Sequence, residues 1–130
     1  MPKLTPKQIA EVADNLVSIA RVIGDYIIDH QLSVKGKLGN LHAAILDEVS
    51  KLYLLSAIEV GKEVHIALDE LGDLTIEIQE TYEKLSQLKF MLNMATAVLS
   101  IGTALAGGDL KAFVEAIKGL KQEINPEDKE

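Results

Sequence analysis

Three histidines and a run of carboxylates are the first places in this sequence to look for chemistry. A di-iron helical bundle needs Glu-x-x-His pairs on facing helices. None of His30, His42 or His65 has a glutamate three residues before it. His30 and His42 flank one expected loop, with Asp29 nearby, and could approach one another around a metal. Polar residues at helix ends are the simpler reading, so no metal and no other cofactor is expected. The carboxylates Glu59, Glu63, Asp69, Glu70, Asp73, Glu77 and Glu80 gather in the middle of the chain. Carboxylate pairs act as general acid and base when an enclosed site holds them at different pKa values. The sequence offers no aromatic cleft to enclose them. A solvated face, or a face for a basic partner, is the expectation, carried by Glu59, Glu63, Asp73, Glu77 and Glu80. Lys35-Gly36-Lys37 precedes an expected helix N-terminus, where backbone N–H groups attract anions, but it lacks the spacing of a nucleotide-binding loop. With no G-x-S-x-G or H-E-x-x-H signature either, the chain is expected not to be an enzyme.

The composition narrows the classes further. One domain of 130 residues is large enough for its own core, and the chain is 48% apolar but only 4% aromatic. Its core is therefore one of Leu, Ile, Val and Ala. No cysteine is present, which removes disulfides, thiolate metal sites and a cysteine nucleophile. A net charge of -7 argues against binding to a nucleic-acid backbone, which needs clustered Lys and Arg. The first residues, Met-Pro-Lys-Leu-Thr-Pro-Lys, do not resemble a secretory leader, and a cytoplasmic location is expected.

Periodicity supplies the elements that would position these groups. Thr5 as N-cap, Pro6 at the first helical position and Gln8 at the capping-box position open a helix. Ile9, Val12, Leu16, Ile19, Ile23 and Tyr26 follow at steps of three and four, which predicts a helix to about Leu32. Residues 33–40 form a loop with Asn40 as the next N-cap. A second helix starts near Leu41, and its almost wholly apolar stretch from Leu52 to Ile58 should be buried on more than one side. Two readings of Gly72 compete. Gly72-Asp73 can turn the chain into a hairpin, the favoured reading. Alternatively, the apolar rhythm from Val60 to Ala106 passes through Gly72 in phase, and one helix of about 100 Å would span residues 41–106. Gly107-Gly108 ends that stretch, and Asp109 caps a short amphipathic helix of Leu110, Phe113, Val114, Ile117 and Leu120. No strand is expected. The fold expected is all-α: an antiparallel bundle of three long helices and a short fourth over residues 1–124, with a charged flexible tail at 125–130.

The segment Phe90–Gly108 contains no ionisable side chain. Its polar members Asn93, Thr96, Ser100 and Thr103 share one face, while Gly102 and Ala106 permit close helix approach. A bundle helix whose polar stripe bonds across to neighbours or meets a subunit explains this pattern best. At 19 residues the segment also reaches the lower limit for crossing a bilayer, so a membrane-active helix is the alternative. The function expected is that of a non-enzymatic interaction or scaffold protein. It forms a homo-oligomer, a dimer being favoured, through a packing seam of Leu88, Leu92, Ala95, Leu99, Gly102 and Ala106. Its acidic face meets a basic protein; no nucleic acid is expected as partner.

Overall fold

A computed structural model describes residues 3–81 and 87–125. Among these residues it contains five helices, α1 (Pro6–Asp29), α2 (Lys37–Leu52), α3 (Lys62–Thr81), α4 (Leu88–Ala106) and α5 (Leu110–Ile124), and two short strands, β1 (Lys3–Leu4) and β2 (Ile58–Glu59). The all-α expectation is met in kind, but the count of three long helices and one short one is not. The bundle has five helices, of 24, 16, 20, 19 and 15 residues.

The start of α1 follows its sequence signal. The Thr5 hydroxyl accepts from the Gln8 N–H at 3.1 Å, and the Thr5 N–H donates to Gln8 Oε1 at 2.9 Å, so two orphan donors are satisfied reciprocally. Its end comes earlier than Leu32. Gln31 adopts a left-handed φ of 52°, and the N–H groups of Gln31 and Leu32 return to the carbonyls of Ile28 and Ile27 at 3.1 and 2.9 Å. These are the two bonds of a Schellman close. The same pair of bonds closes α4, where Gly108 has φ 75° and Gly108 and Asp109 donate to Leu105 and Ala104. Asp109 then caps α5 as expected, its carboxylate accepting from the Ala112 N–H at 3.0 Å.

Three boundaries correct the reading from periodicity. Asn40 is not the cap of α2; the helix begins at Lys37 after Gly36, and Asn40 lies in its first turn. Gly39, also in that turn, packs where a Cβ would collide with the Val34 backbone. The stretch from Leu52 to Ile58 is not a buried helix. The chain leaves α2 at Tyr53, and Tyr53 and Leu54 are 50% and 86% exposed. Ile58 and Glu59 instead pair antiparallel with Leu4 and Lys3, which suits β-branched Ile58 and Val60 and buries Leu4 and Val60. Neither reading of Gly72 survives intact. It turns nothing, because α3 runs through it, and no rod forms, because α2, α3 and α4 are separate elements.

The helices contact one another in a closed order, α1–α2–α4–α5–α3 and back to α1, with α1 also touching α4 across the ring. One apolar cluster fills the middle and draws on every helix. Ile9, Leu16, Ile19 and Ile23 of α1 meet Ile45 and Leu52 of α2, Leu71 and Ile78 of α3, Met91 and Met94 of α4, and Phe113 of α5, all buried. The one buried polar side chain among the described residues, Thr75, donates to the Leu71 carbonyl at 2.8 Å, so it burdens the core with no unmet hydrogen bond.

Candidate interaction surfaces

Among the described residues α3 packs chiefly against α1 and α5, and side chains of its remaining arc are exposed. Six carboxylates stand on this helix, Glu63, Asp69, Glu70, Asp73, Glu77 and Glu80, against the single lysine Lys62. Asp69, Asp73 and Glu80 are exposed on the outward arc together with Ile66 and Ile76, which are 53% and 56% exposed. Of the five residues expected to form one acidic face, the structure places Glu63, Asp73, Glu77 and Glu80 on α3. Glu59 is exposed but sits on β2, off that helix.

Between α3 and α5 runs a crevice with two adjoining recesses. The first, about 220 Å³, has an apolar floor of Ile66, Ala67, Val114 and Ile117, with Glu63 and Glu70 on the α3 wall and Lys118 on the other. The second, about 140 Å³, shares Glu70 and is lined by Asp73, Leu74 and Glu77 opposite Lys121 and Asn125. Lys121 lies 4.0 Å from Glu70, and both side chains are partly solvated, so the pair holds the walls together only weakly. The Asn125 amide donates to Glu77 Oε2 at 3.2 Å. Asn125 is thus tied to α3 rather than being the start of a free tail; residues 126–130 of the expected tail lie outside the described residues. The crevice was not foreseen, although Glu63, Ile66, Glu70, Asp73 and Glu77 recur at steps of three and four, as do Val114, Lys118 and Lys121.

The uncharged helix α4 presents a different arc. Asn93, Thr96, Ser100 and Thr103 are all exposed. Thr96 and Ser100 do not bond across to neighbouring helices; they donate to their own backbone, to Leu92 at 2.8 Å and Thr96 at 3.0 Å. The six seam residues are divided. Ala95 and Gly102 are buried within the chain, Leu92, Leu99 and Ala106 are half-buried, and Leu88 is 44% exposed. A Cβ on Gly102 would stand 3.1 Å from Glu48 Cβ and 3.4 Å from Leu16 Cδ1, so its close approach is to α2 and α1 of the same chain. By length and composition alone, α4 is the one helix among the described residues that could cross a membrane, with 39% of its apolar window buried.

The other candidate residues make local contacts. His30 stacks on Tyr26 with ring centroids 4.0 Å apart, and its Nδ1 lies 3.1 Å from the Tyr26 carbonyl. His42 packs over Gly24, where its Nε2 would be 3.2 Å from a Cβ. His65 lines a polar recess of about 270 Å³ between α1 and α3 with Gln8, Glu11, Asn15 and Asp69. Among the described residues no three of His, Cys, Asp and Glu gather as a metal-binding group. In the Lys35–Lys37 loop, the Lys35 and Gly36 N–H groups donate to Ser33, so the loop closes on itself. Tyr53 donates to Asp14 Oδ1 at 2.6 Å; that bond, then burial and the Asp14 charge, raises the phenol above its ordinary value of 10.0.

No protein family, curated protein or solved structure matches this chain. The functional reading rests on the chain's own surfaces.

Proposed function

We propose that this is a non-enzymatic interaction protein that receives a basic protein partner on α3 and self-associates through the outer arc of α4. The bundle, its helices packed mainly antiparallel, acts as the scaffold that keeps the two faces apart. The observation that carries the first part is the charge of α3. Six carboxylates and one lysine give it a net charge of -5, most of the -7 of the whole chain, on an arc that also exposes Ile66 and Ile76. Complementary charge steers partners and selects among them, and exposed aliphatic side chains supply the desolvation that holds them. The carboxylates stand mostly open to water, not enclosed and held apart as general acid–base chemistry requires. Reversing Asp73 and Glu80 to lysine tests this part by titration with a cationic peptide. Binding should fall at least about tenfold with helicity unchanged; unaltered binding would remove α3 from the account.

The second part follows from electrostatics. Two copies that each carry -7 repel least where neither presents charge, and Asn93, Thr96, Ser100 and Thr103 form such a surface. Light scattering on Thr96→Lys with Ser100→Lys should give about half the mass of the unaltered dimer at unchanged melting. The same mass for both would refute self-association there.

A membrane-active role is the alternative, favoured by the length and composition of α4. Against it, the apolar side of α4 (Met91, Met94, Val98, Ile101, Leu105) closes the core, and the side left outside carries Asn, Thr and Ser. Lipid contact would have to unpack the bundle first. Flotation with liposomes at neutral and mildly acid pH separates the two: the interaction reading expects the protein to stay in the soluble fraction in both.

A further inference from the structure

Resting on the reading of α3 as a partner face, we propose that the α3–α5 crevice is a docking groove for a cationic amphipathic helix of another protein. The partner's aliphatic side chain seats in the recess at Ile66 and Val114. A Lys or Arg about two turns along the same helix meets the carboxylate rim that includes Asp73.

The apolar end comes first in the argument. Ala67 and Ile117 are 4% and 1% exposed, whereas Ile66 beside them is 53% exposed. The recess therefore rests on closed core at Ala67 and Ile117, while the Ile66 side chain beside them is left about half exposed by the described residues. Covering it removes apolar area from water at both partners. The acidic end follows along the same line. From Ala67 to Leu74 is seven residues of helix, about 10 Å by the helical rise. Two turns of a docked helix cover that span, with residues seven apart on one face. The whole groove from Glu63 to Glu77 is about 20 Å long by the same rise, room for roughly four turns of a helix laid in a helix–helix groove.

Charge selects the occupant. Glu63, Glu70, Asp73 and Glu77 face Lys118 and Lys121 across the two recesses, an excess of two negative charges. Lys121 sits 4.0 Å from Glu70 and is 46% exposed, a pairing weak enough for an incoming cation to replace. A second copy of the chain is the poorer fit, since its own α3 would bring more negative charge to the groove.

The test is a fluorescence anisotropy titration of the full chain with helical peptides of about 14 residues. One carries a leucine and, two turns on, a lysine; its sequence-reversed counterpart covers the opposite direction of docking. A third lacks the leucine and a fourth has glutamate in place of lysine. The anchored cationic peptide, in at least one direction, should bind at least about tenfold more tightly than either control. Ile66→Glu and Asp73→Lys should each weaken it by about tenfold or more with unchanged melting, and Ser100→Lys should leave it unaltered. If the leucine-free peptide binds as tightly and Asp73→Lys still abolishes binding, the groove proposal fails while the acidic-face reading stands. If no cationic peptide binds, both fail. If Ile66→Glu instead lowers the solution mass of the protein alone, the groove is a self-contact and the proposal is overturned.

Discussion

Helices α3 and α4 are nearly equal in length, 20 and 19 residues, yet they divide the work of the molecule between them. In α3 one apolar side closes the core, and the outward side carries most of the six carboxylates together with the exposed Ile66 and Ile76. In α4 the charge is confined to Lys89, and three neighbours, α1, α2 and α5, surround its apolar side. Their glycines show the same division. Gly102 of α4 is wedged against Glu48 and Leu16, whereas a Cβ at Gly72 of α3 would meet nothing within 4 Å. One helix is built for what it touches inside the chain, the other for what it leaves open outside. Sequence hydropathy alone points to α4 as the place of interest; in the structure it is α3 that exposes the charged side chains.

Three perturbations break or sharpen that contrast. The largest effect belongs to Gly102→Leu, where overpacking between three helices should cost about 3 kcal/mol or more, read as a thermal melt lowered by roughly 10 °C. A melt within a degree or two would mean that the wedge at Gly102 is not tight. Next is Ile66→Glu together with Asp73→Lys on α3: affinity for an anchored cationic helix should fall about a hundredfold, some 2.7 kcal/mol, while the melt stays put. The same double lysine substitution at Thr96 and Ser100 should change mass without changing that affinity, separating the two faces.

Smaller gains test backbone fit. Gly72→Ala should stabilise by about 0.5–1 kcal/mol, since alanine replaces glycine in a helix interior with room for its methyl. Gln31→Gly should gain a similar amount by relieving the left-handed φ of 52° at the close of α1. Chemical denaturation reads both, and a loss in either would contradict the local geometry described. The smallest effect is Tyr53→Phe, about 0.5 kcal/mol or less for a half-exposed hydrogen bond. Its sign with pH is fixed, because the folded-state pKa lies above the ordinary 10.0. The bond contributes fully below pH 10 and is lost as pH rises through the raised value, so wild type and variant should converge in strong alkali.

What the sequence disclosed was local. Thr5, Pro6 and Gln8 announced the start of α1, and Gly107, Gly108 and Asp109 the passage from α4 to α5, because caps and left-handed glycines act within one turn. The close of α1 was illegible because glutamine occupies the position that glycine usually marks. The end of α2 was hidden because the run from Leu52 to Ile58 is almost wholly apolar, and a short apolar run marks a buried helix as readily as a chain that leaves the helix to pair as a strand. Gly72 misled because an uncrowded helix tolerates glycine at a cost of only about 1 kcal/mol. The crevice needed residues of α5 and α3 more than forty positions apart, such as Lys121 and Glu70, and no local pattern carries that juxtaposition. The acidic character of α3 was legible from composition alone; the apolar recess beside it was not.

The most direct test of α3 as the partner face is an amide-resolved NMR titration of the isotope-labelled protein with the anchored cationic peptide. Shift changes confined to residues 63–77 and 114–125, with Asn93 to Thr103 unmoved, are the expected result. Changes centred on Asn93, Thr96, Ser100 and Thr103, or none anywhere at saturating peptide, would contradict it.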